Sequence, residues 1–314
     1  MSTTLVIGAG MTGIACARAL HDAGRSVRVI DKGRGIGGRM ATRRLETRAG
    51  NLSFDHGAQY ISVHTPAFAA LLGELPKAEV WEDGATHAHY VGVPGMSSLP
   101  RALAAGLEVK NGVEVTSIQR KNGAWQVSVV DDVIEATRVV LTVPAPQIAP
   151  LLGSDHPLSR IQDIVEMAPS LTLMAAFPTA GPAPFVSQIF PDGPISYIAQ
   201  DNSKPGRHIT AKAWVAQASI LWSTEHLEQD KEKIAHLMLP LLCDMIGADP
   251  VTVLHLEAHR WRYARVITPL GQPFIRDITG TLHIGGDWCL GPRVESAWES
   301  GTAIAQDILR GSNV

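Results

Sequence analysis

A glycine-rich segment near the start of the chain has the spacing of a phosphate-binding loop. Gly8-Ala9-Gly10-Met11-Thr12-Gly13 reads GxGxxG; it follows an apolar run at residues 5–7 and precedes a helical pattern over residues 11–23. In such a loop the first glycine makes a tight turn, the second lets the backbone approach a pyrophosphate, and the third lets helix and strand pack closely. The free N–H groups and the dipole of the helix favour phosphate. The segment therefore predicts a dinucleotide-binding βαβ unit.

An acidic residue closes this predicted unit. The strand-like residues 26–30 run directly into Asp31. A carboxylate at the end of the second strand can accept both ribose hydroxyls of an adenosine, and it repels a 2′-phosphate. Strand, helix and carboxylate together make the dinucleotide prediction much more specific than the glycines alone.

Two further stretches favour FAD over NAD as the dinucleotide. Gly37-Gly38-Arg39-Met40 follows the second strand, where glycines permit close approach to a cofactor and Arg39 can pair with phosphate oxygens. Near the other end, Gly285-Gly286-Asp287 precedes a helix start at Val294-Glu295-Ser296-Ala297. Asp287 can accept from a ribityl chain, and a helix N-terminus stabilises the negative charge of a reduced flavin. If the protein were a nicotinamide-dependent dehydrogenase, neither the Gly37–Met40 stretch nor the Gly-Asp loop near the C-terminus would have an evident role.

The elements that position these residues follow from periodicity. Residues 97–105 form a predicted helix with Pro100 in its first turn, and residues 121–123 form the turn of a hairpin. Residues 139–143 form a predicted buried strand, and residues 228–246 and 294–309 form predicted helices.

Composition excludes several other classes of protein. The 314 residues are 45% hydrophobic and 18% charged, which is typical of a globular protein rather than a disordered one. A net charge of −3 argues against nucleic acid or an anionic membrane as partner, and no apolar run approaches the ~20 residues that span a bilayer. Three cysteines without a CxxC pair, and an N-terminus without a charged leader, predict a soluble cytoplasmic protein.

Taken in order, the motifs resemble those of the renalase-like flavoproteins, within the amine-oxidase group that has a glutathione-reductase-type FAD fold. The stretches that carry the resemblance are GAGMTG, DKGRGIGGRM, FDHGAQY, HRWRYA and GGDWC…RVESAWESG, which run from Gly8 to Gly301. The resemblance implies an α/β fold, with a Rossmann-type FAD-binding domain and an interleaved α+β substrate domain. We expect the FAD domain at residues 1–60, 97–146 and 261–314, and the substrate domain at residues 61–96 and 147–260, with the pocket at their interface.

The loops and the resemblance together predict the FAD contacts. The backbone of Val115 would meet the adenine, and residues 55–60 would pass beside the isoalloxazine. The predicted contacts are Gly8, Gly10, Met11, Thr12, Gly13, Asp31, Lys32, Gly38, Arg39, Met40, Ala58, Gln59, Val115, Gly286, Asp287, Val294, Glu295, Ser296 and Ala297.

Two absences in the sequence bear on the chemistry. Many amine oxidases of this group carry a lysine on the strand after the FAD domain, and residues 170–177 contain none. Some attach the flavin to a cysteine before the Gly-Asp motif, and residues 268–271 contain none, so we expect non-covalent FAD.

The resemblance implies oxidation of the 2- or 6-dihydro isomers of NAD(P)H. Reduced flavin then passes electrons to O2, which gives H2O2 and NAD(P)+. Such substrates are strong hydride donors that need correct placement rather than a base, so we assign no catalytic acid or base. Two alternatives remain: an amine oxidase or desaturase for another small metabolite, and a non-catalytic FAD-binding sensor.

The residues nearest the motifs form a candidate substrate pocket. Aromatic rings there can stack on a nicotinamide, and Asn202 or Gln59 can bind its carboxamide. Residues 201–207 have the composition of a solvent loop, or else they form a pocket wall. The spacing of His87, His89, His255 and His259 predicts no metal site, and the sequence leaves the oligomeric state open. The predicted pocket residues are Tyr60, Asn202, His259, Trp261, Tyr263 and Trp288.

Overall fold

The structure is a computed structural model that describes residues 3–47 and 50–311. The chain divides into two compact units, each built from separated stretches of sequence. The first unit contains the described residues of Met1–Gly38, Pro100–Met167 and Val266–Val314; the second contains those of Arg39–Leu99 and Ala168–Arg265.

Strands outnumber helices along the chain and often follow one another directly. In order, the strands are β1 (Thr4–Ile7), β2 (Val27–Asp31), β3 (Thr42–Thr47), β4 (Gly50–Asp55), β5 (Ala78–Trp81), β6 (His89–Gly92), β7 (Val109–Asn111), β8 (Val115–Lys121), β9 (Ala124–Val129), β10 (Asp132–Ala136), β11 (Arg138–Leu141), β12 (Glu166–Phe177), β13 (Ser187–Ile189), β14 (Ile195–Gln200), β15 (Lys212–Ala218), β16 (His255–Thr268), β17 (Ile275–Arg276) and β18 (Leu282–Ile284). The α-helices are α1 (Met11–Asp22), α2 (Pro66–Glu74), α3 (Ser98–Leu103), α4 (Ile148–Leu152), α5 (Ile220–Glu225), α6 (Lys231–Ile246) and α7 (Val294–Gly311).

A six-stranded sheet organises the first unit, in the order β17-β18-β11-β1-β2-β7. Strand β1 pairs in parallel with both β2 and β11, so the strand order reverses beside it. Such a reversal is the switch point at which open α/β sheets bind dinucleotides, outside the carboxyl ends of the strands. The predicted βαβ unit is confirmed, and its phosphate loop lies at this switch point.

A three-stranded antiparallel sheet, β10-β9-β8, is also part of the first unit. The turn between β8 and β9 is confirmed, because Asn122 and Gly123 both have positive φ, at 53° and 83°, as a two-residue hairpin turn requires. Strand β10 is absent from the sequence prediction, because its residues Asp132–Ala136 are mostly exposed and carry little apolar periodicity.

The second unit is built on a five-stranded sheet, in the order β13-β14-β15-β12-β16. Alternate residues of β12 face opposite sides: Leu171 and Leu173 pack with α6, whereas Met174 packs with Leu52 and Phe54 of the β3–β4 hairpin. Both faces of β12 are therefore buried, which explains its continuous apolar sequence.

The boundaries of the compact units differ from the predicted domains. Residues 39–60 lie in the second unit, because the β3–β4 hairpin packs on the five-stranded sheet. Residues 147–167 lie in the first unit, because Ile148 and Ile161 belong to its hydrophobic core. The assignment of cofactor and substrate to particular stretches stays a prediction.

Helices α1 and α7 of the first unit approach each other at Gly301. A Cβ atom at this position would lie 2.1 Å from the Thr12 carbonyl oxygen and 3.1 Å from the Ala15 Cβ. We therefore expect Gly301→Ala to lower the free energy of unfolding by about 1–3 kcal/mol through overpacking, measured by urea denaturation.

A glycine in another helix provides the matched control. A Cβ atom at Gly73 in α2 meets nothing within 4 Å, so Gly73→Ala should be neutral or stabilising by up to about 1 kcal/mol. Equal unfolding midpoints for the two variants would contradict the close approach of α1 and α7.

Candidate functional site

The GxGxxG loop of the first unit leaves space where a phosphate group is expected. Gly8 has φ +113°, and a Cβ at Gly13 would lie 1.9 Å from the Gly8 carbonyl oxygen, so both positions require glycine. Gly10 is different: its φ is −76°, and a Cβ there meets nothing within 4 Å. The N-cap residue of α1 is Gly10, which has no side chain to cap the helix. The loop and helix therefore present backbone N–H groups to open space, which fits a pyrophosphate.

The second glycine loop lies directly on the first. The Gly37 N–H donates to the Ala9 carbonyl at 2.9 Å. Gly38 has φ +54°, and a Cβ there would lie 3.3 Å from the Gly10 Cα. The two loops that were predicted separately from the sequence thus form one cradle within the first unit.

Asp31 stands at the end of β2, and its carboxylate organises the cradle. One oxygen accepts from the Ala9 N–H and the other from the Gly33 N–H, each at 2.6 Å. Each oxygen retains a further lone pair for a ribose hydroxyl. The Val113 N–H donates to the Asp31 carbonyl at 2.9 Å, which brings the start of β8 and Val115 to the same sheet edge. Lys32 is exposed, with its Nζ 3.8 Å from Glu114.

The Gly-Asp loop near the C-terminus is held against α7. The Gly286 N–H donates to the Ser300 Oγ at 3.0 Å, and Asp287 is 7% exposed. In the first turn of α7, Ser296 is fully buried and its Oγ has no hydrogen-bond partner among the described residues. An orphaned hydroxyl at a helix N-terminus fits a site that receives a polar cofactor group.

The remaining predicted cofactor residues differ in exposure. Met11, Thr12, Met40 and Glu295 are buried, whereas Arg39, Ala58, Val294 and Ala297 are half-buried. The Arg39 guanidinium donates to the Ala264 carbonyl at 3.0 Å.

Trp288 has a different place from the one predicted. Its ring is fully buried in the hydrophobic core of the first unit, and its indole N–H donates to the Val143 carbonyl at 3.0 Å. A ring without an exposed face cannot stack on a substrate, so the prediction that Trp288 lines the pocket is wrong.

In the second unit, long-range hydrogen bonds hold residues 55–60. The Trp261 indole N–H donates to the His56 carbonyl at 2.7 Å, and the Gln217 amide donates to the Gly57 carbonyl at 2.8 Å. The Ala58 N–H donates to the Arg39 carbonyl at 2.8 Å. Gln217 is absent from the sequence prediction, because nothing in its local sequence points to Gly57.

Two histidines and a tryptophan pack together beside this segment. The rings of His56 and His259 meet edge to face at 4.5 Å, and Trp261 stacks on His56 at 5.3 Å. Burial, with the nearby Arg43 charge, lowers the pKa of His56 to about 4. Burial, with His56, lowers the pKa of His259 to about 3. Both imidazoles are therefore neutral at physiological pH. Tyr263 is half-buried, two residues further along β16.

Tyr60, at the end of the segment, belongs to a second aromatic group. Its ring stacks on His89 at 3.6 Å, and Tyr197 lies 6.2 Å away. The His89 Nδ1 lies 2.9 Å from an Asp83 carboxylate oxygen, which also accepts from the Ser187 hydroxyl at 3.0 Å. The HxH spacing drew attention to His89 only as a possible metal ligand; Asp83 and Ser187 carried no sequence signal.

A buried ionic cluster lies behind the segment and consists of Asp55, Asp201, Lys204 and Arg207, whose side chains are all fully buried. The Lys204 ammonium lies 2.7 Å from Asp201 and 3.3 Å from Asp55, and Arg207 lies 2.5 Å from Asp55. Burial alone would raise the pKa of Asp55, but the Lys204 and Arg207 charges together lower it.

This cluster corrects the solvent-loop prediction for residues 201–207 and the prediction for the Gln59 side chain. Residues 201–207 do not form a solvent loop, because their charged side chains are paired with one another and with Asp55 inside the protein. The Gln59 amide donates to the Asp55 and Gly57 carbonyls and accepts from Lys204, so its side chain is not free to bind a carboxamide. The Asn202 Oδ1 accepts from the Ala213 N–H at 2.9 Å, and a role for this half-buried side chain in binding a carboxamide stays a prediction.

The fold of the first unit and its cradle define a dinucleotide-binding class, and comparison with known proteins gives the family. Residues 6–75 match the NAD(P)-binding Rossmann-like domain, and residues 77–309 match the flavin containing amine oxidoreductase. The chain belongs to the flavin containing amine oxidoreductase family. It is a renalase-like, FAD-dependent oxidoreductase, as the motifs predicted.

Individual relatives agree with this assignment. The chain is 28% identical to renalase from Mus musculus, over 91% of this chain and 93% of the relative. Putrescine oxidase bound to putrescine has a similar fold, with a TM-score of 0.74 and 15% identity over 98% of this chain and 99% of that one. Cyclohexylamine oxidase from Brevibacterium oxydans IH-35A gives a TM-score of 0.73, with 14% identity over 100% of both chains. Within residues 3–47 and 50–311, no helix has both the length and the hydrophobicity to cross a membrane.

Gly10 offers a test of the cradle that spares the fold. Gly10→Val places a side chain in the space above the loop, where a Cβ meets nothing within 4 Å, so we expect FAD occupancy to fall by tenfold or more. The thermal midpoint of the apoprotein should be unchanged. Occupancy is measured as the ratio of flavin to protein absorbance after purification, and full occupancy would mean that the cofactor lies elsewhere.

Asp55 offers a test of the buried cluster. Asp55→Asn leaves Lys204 and Arg207 without half of their compensating charge, so we expect a loss of about 3 kcal/mol in the free energy of unfolding. Asp22→Asn, at an exposed ion pair with Arg18, should change it by less than about 0.5 kcal/mol. Urea denaturation of both variants measures the difference, and equal losses would contradict the buried pairing.

Proposed function

We propose that the protein is an oxidase for misreduced dihydronicotinamide dinucleotides. Its substrates would be the 2- or 6-dihydro isomers of NAD(P)H, which give up a hydride and leave as NAD(P)+. The electrons would pass to O2 and give H2O2. The near full-length similarity to renalase from Mus musculus supports this choice, together with the renalase-like motifs.

The state of the ionisable groups around residues 55–60 carries the proposal. His56 and His259 are held neutral by burial, with pKa values of about 4 and about 3. Lys204 and Asp55 are tied to each other and to Asp201 and Arg207 by short ion pairs. A dihydronicotinamide already has a strong tendency to lose hydride and needs no proton acceptor. It needs placement about 3–3.5 Å from the hydride acceptor in a dry environment.

Strand β12 also supports a substrate other than an ordinary amine. Its described residues from Ser170 to Phe177 contain no lysine, and Thr172 is fully buried within this stretch. The characteristic lysine of many amine oxidases is thus missing from the strand where it is expected.

We assign the cofactor to the cradle of the first unit. The N-terminus of α1 at Gly10 would hold the pyrophosphate, Asp31 the adenosine ribose, and Asp287 with the first turn of α7 the ribityl chain and pyrimidine edge. Bound FAD supplies the hydride acceptor and the route of electrons to O2.

The polar and aromatic residues of the second unit would form the substrate pocket. Trp261 and Tyr263 lie on one face of β16, because residues two apart along a strand point to the same side. With His259 and Tyr60 they offer half-buried surfaces that would pack against a planar ring and exclude water from it.

An anaerobic mixing experiment tests the proposed function. The purified flavoprotein is mixed separately with 2-dihydro-NAD, 6-dihydro-NAD, ordinary β-NADH, putrescine and benzylamine. We expect rapid bleaching of the flavin band near ~450 nm by one or both isomers, restored by air with peroxide formed. β-NADH and the amines should react at least 100-fold more slowly.

Each other outcome selects an alternative. Bleaching by an amine alone would overturn the proposal and indicate an amine oxidase on this scaffold. A yellow protein that none of the compounds bleaches would indicate a non-catalytic FAD-binding protein. Gly10→Val is the control, because a reaction that persists without bound flavin would not belong to this site.

A further inference from the structure

We propose that His89, oriented by Asp83, accepts a hydrogen bond from the carboxamide N–H of the substrate, and that the Tyr60 hydroxyl donates to the carboxamide oxygen. The inference rests on the proposed function in one respect, namely that the substrate carries a nicotinamide-type carboxamide. All three residues belong to the second unit. We call them the amide site.

The carboxylate of Asp83 determines which nitrogen of His89 carries a proton. The Asp83 side chain is 3% exposed, and one of its oxygens lies 2.9 Å from the His89 Nδ1 and accepts from the Ser187 hydroxyl at 3.0 Å. The other oxygen accepts from the Ala85 N–H at 3.1 Å. Burial alone would raise the pKa of Asp83, but these three hydrogen bonds lower it. Since an ionised carboxylate can only accept hydrogen bonds, the Nδ1 of His89 carries the proton.

The second nitrogen of His89 is therefore an acceptor. A neutral imidazole that is protonated on Nδ1 keeps a lone pair on Nε2. This Nε2 makes no hydrogen bond within residues 3–47 and 50–311, and it is accessible to solvent although the side chain is only 15% exposed. A largely buried acceptor that the described part of the protein leaves unused is suited to an N–H donor of a ligand.

The ring of Tyr60 fixes the plane of the imidazole. The two rings stack with their centroids 3.6 Å apart and their planes at 15°. Asp83 restrains the rotation of the imidazole within its plane, and Tyr60 restrains its tilt. The Nε2 lone pair therefore has one direction, and a preorganised acceptor loses less conformational freedom on binding than a mobile one.

The Tyr60 hydroxyl completes the match to a primary carboxamide. This hydroxyl belongs to a half-buried residue, and it too makes no hydrogen bond with the described residues. A carboxamide offers an N–H donor and a carbonyl acceptor side by side, and the stack holds the His89 nitrogen and the Tyr60 hydroxyl close enough for one amide to use both. Gln59, for which the sequence predicted this role, is already engaged inside the protein.

Two oxidised dinucleotides separate the two halves of the amide. NAD+ has the carboxamide, whereas its 3-acetylpyridine analogue keeps the carbonyl and has a methyl group in place of the NH2. Their binding to purified, oxidised holoenzyme is measured by calorimetry, with FAD already present. We expect the original protein to bind NAD+ about tenfold more tightly than the analogue, because the analogue leaves the His89 nitrogen without a donor.

Three variants test the members of the amide site separately. His89→Phe keeps the aromatic stack but has no acceptor, so its affinities for the two dinucleotides should be equal within about twofold. Asp83→Asn can donate to Nδ1 and so moves the proton to Nε2, and the preference for NAD+ should fall here as well. Tyr60→Phe loses the donor to the carbonyl that both dinucleotides share, so it should weaken both about 3- to 10-fold and keep the preference.

His226→Phe is the matched control. His226 is also half-buried and packed on an aromatic ring, that of Trp222 at 4.1 Å, but its Nδ1 lies 2.8 Å from the Gln229 amide instead of a carboxylate. This variant should leave both affinities unchanged. A preference for NAD+ that survives in both His89→Phe and Asp83→Asn overturns the proposal. Loss of the preference in Asn202→Ala alone also overturns it and assigns the carboxamide to Asn202.

The binding measurement distinguishes this inference from the proposed function. If no dihydronicotinamide bleaches the flavin but the preference for NAD+ depends on His89, the proposed reaction fails and the amide site stands. If the isomers bleach the flavin and the preference does not depend on His89, the proposed reaction stands and the amide site fails. If neither dinucleotide binds the original holoenzyme, the amide site is overturned, whichever compound reduces the flavin.

Discussion

The carboxylate of Asp55 is the interaction on which the second unit depends. It is fully buried, and four donors reach it from three separate stretches of sequence. One oxygen accepts from the Thr42 hydroxyl and the Met96 N–H, and the other accepts from Lys204 and Arg207. A buried carboxylate is costly unless it is paired and hydrogen-bonded, so the fold is stable only when all these stretches are in place. Residues 55–60, which contain several predicted site residues, begin at this fixed point.

Charge is neutralised inside the second unit in two ways. In the ionic cluster, the carboxyl groups of Asp55 and Asp201 pair with Lys204 and Arg207, while burial raises the pKa of Asp201. At His56 and His259, burial lowers the pKa until the rings carry no charge. The result is that His56, His259 and Lys204 offer no free charge of their own beside the segment, which suits a reaction that moves a hydride rather than a proton.

Local pattern explains why the cofactor cradle could be predicted and the polar network could not. Gly8, Gly13 and Asp31 lie within one βαβ unit. Their spacing alone predicts the tight turn at Gly8, the close packing of helix and strand at Gly13, and the carboxylate of Asp31 at the end of the strand. The network joins residues far apart in sequence: Asp55 and Lys204 are 149 positions apart, and Gln217 and Gly57 are 160 apart. The spacing of Asp201, Lys204 and Arg207 is consistent with charges that pair with one another. The composition of residues 201–207, taken alone, is that of a solvent-exposed loop. The prediction for Trp288 was wrong because the position of a residue next to a motif in the sequence does not determine the direction in which its side chain points.

The proposed reaction gives the neutral site a further advantage. As hydride leaves a dihydronicotinamide, the ring becomes a cation, so positive charge grows toward the transition state. A charged histidine or a free lysine beside the ring would oppose that change, whereas aromatic faces such as those of Trp261 and Tyr60 attract a cation more than a neutral ring. An interaction that strengthens as the reaction proceeds lowers the barrier, whereas uniform binding does not. In the proposed reaction, low histidine pKa values and an internally paired lysine would therefore lower the barrier.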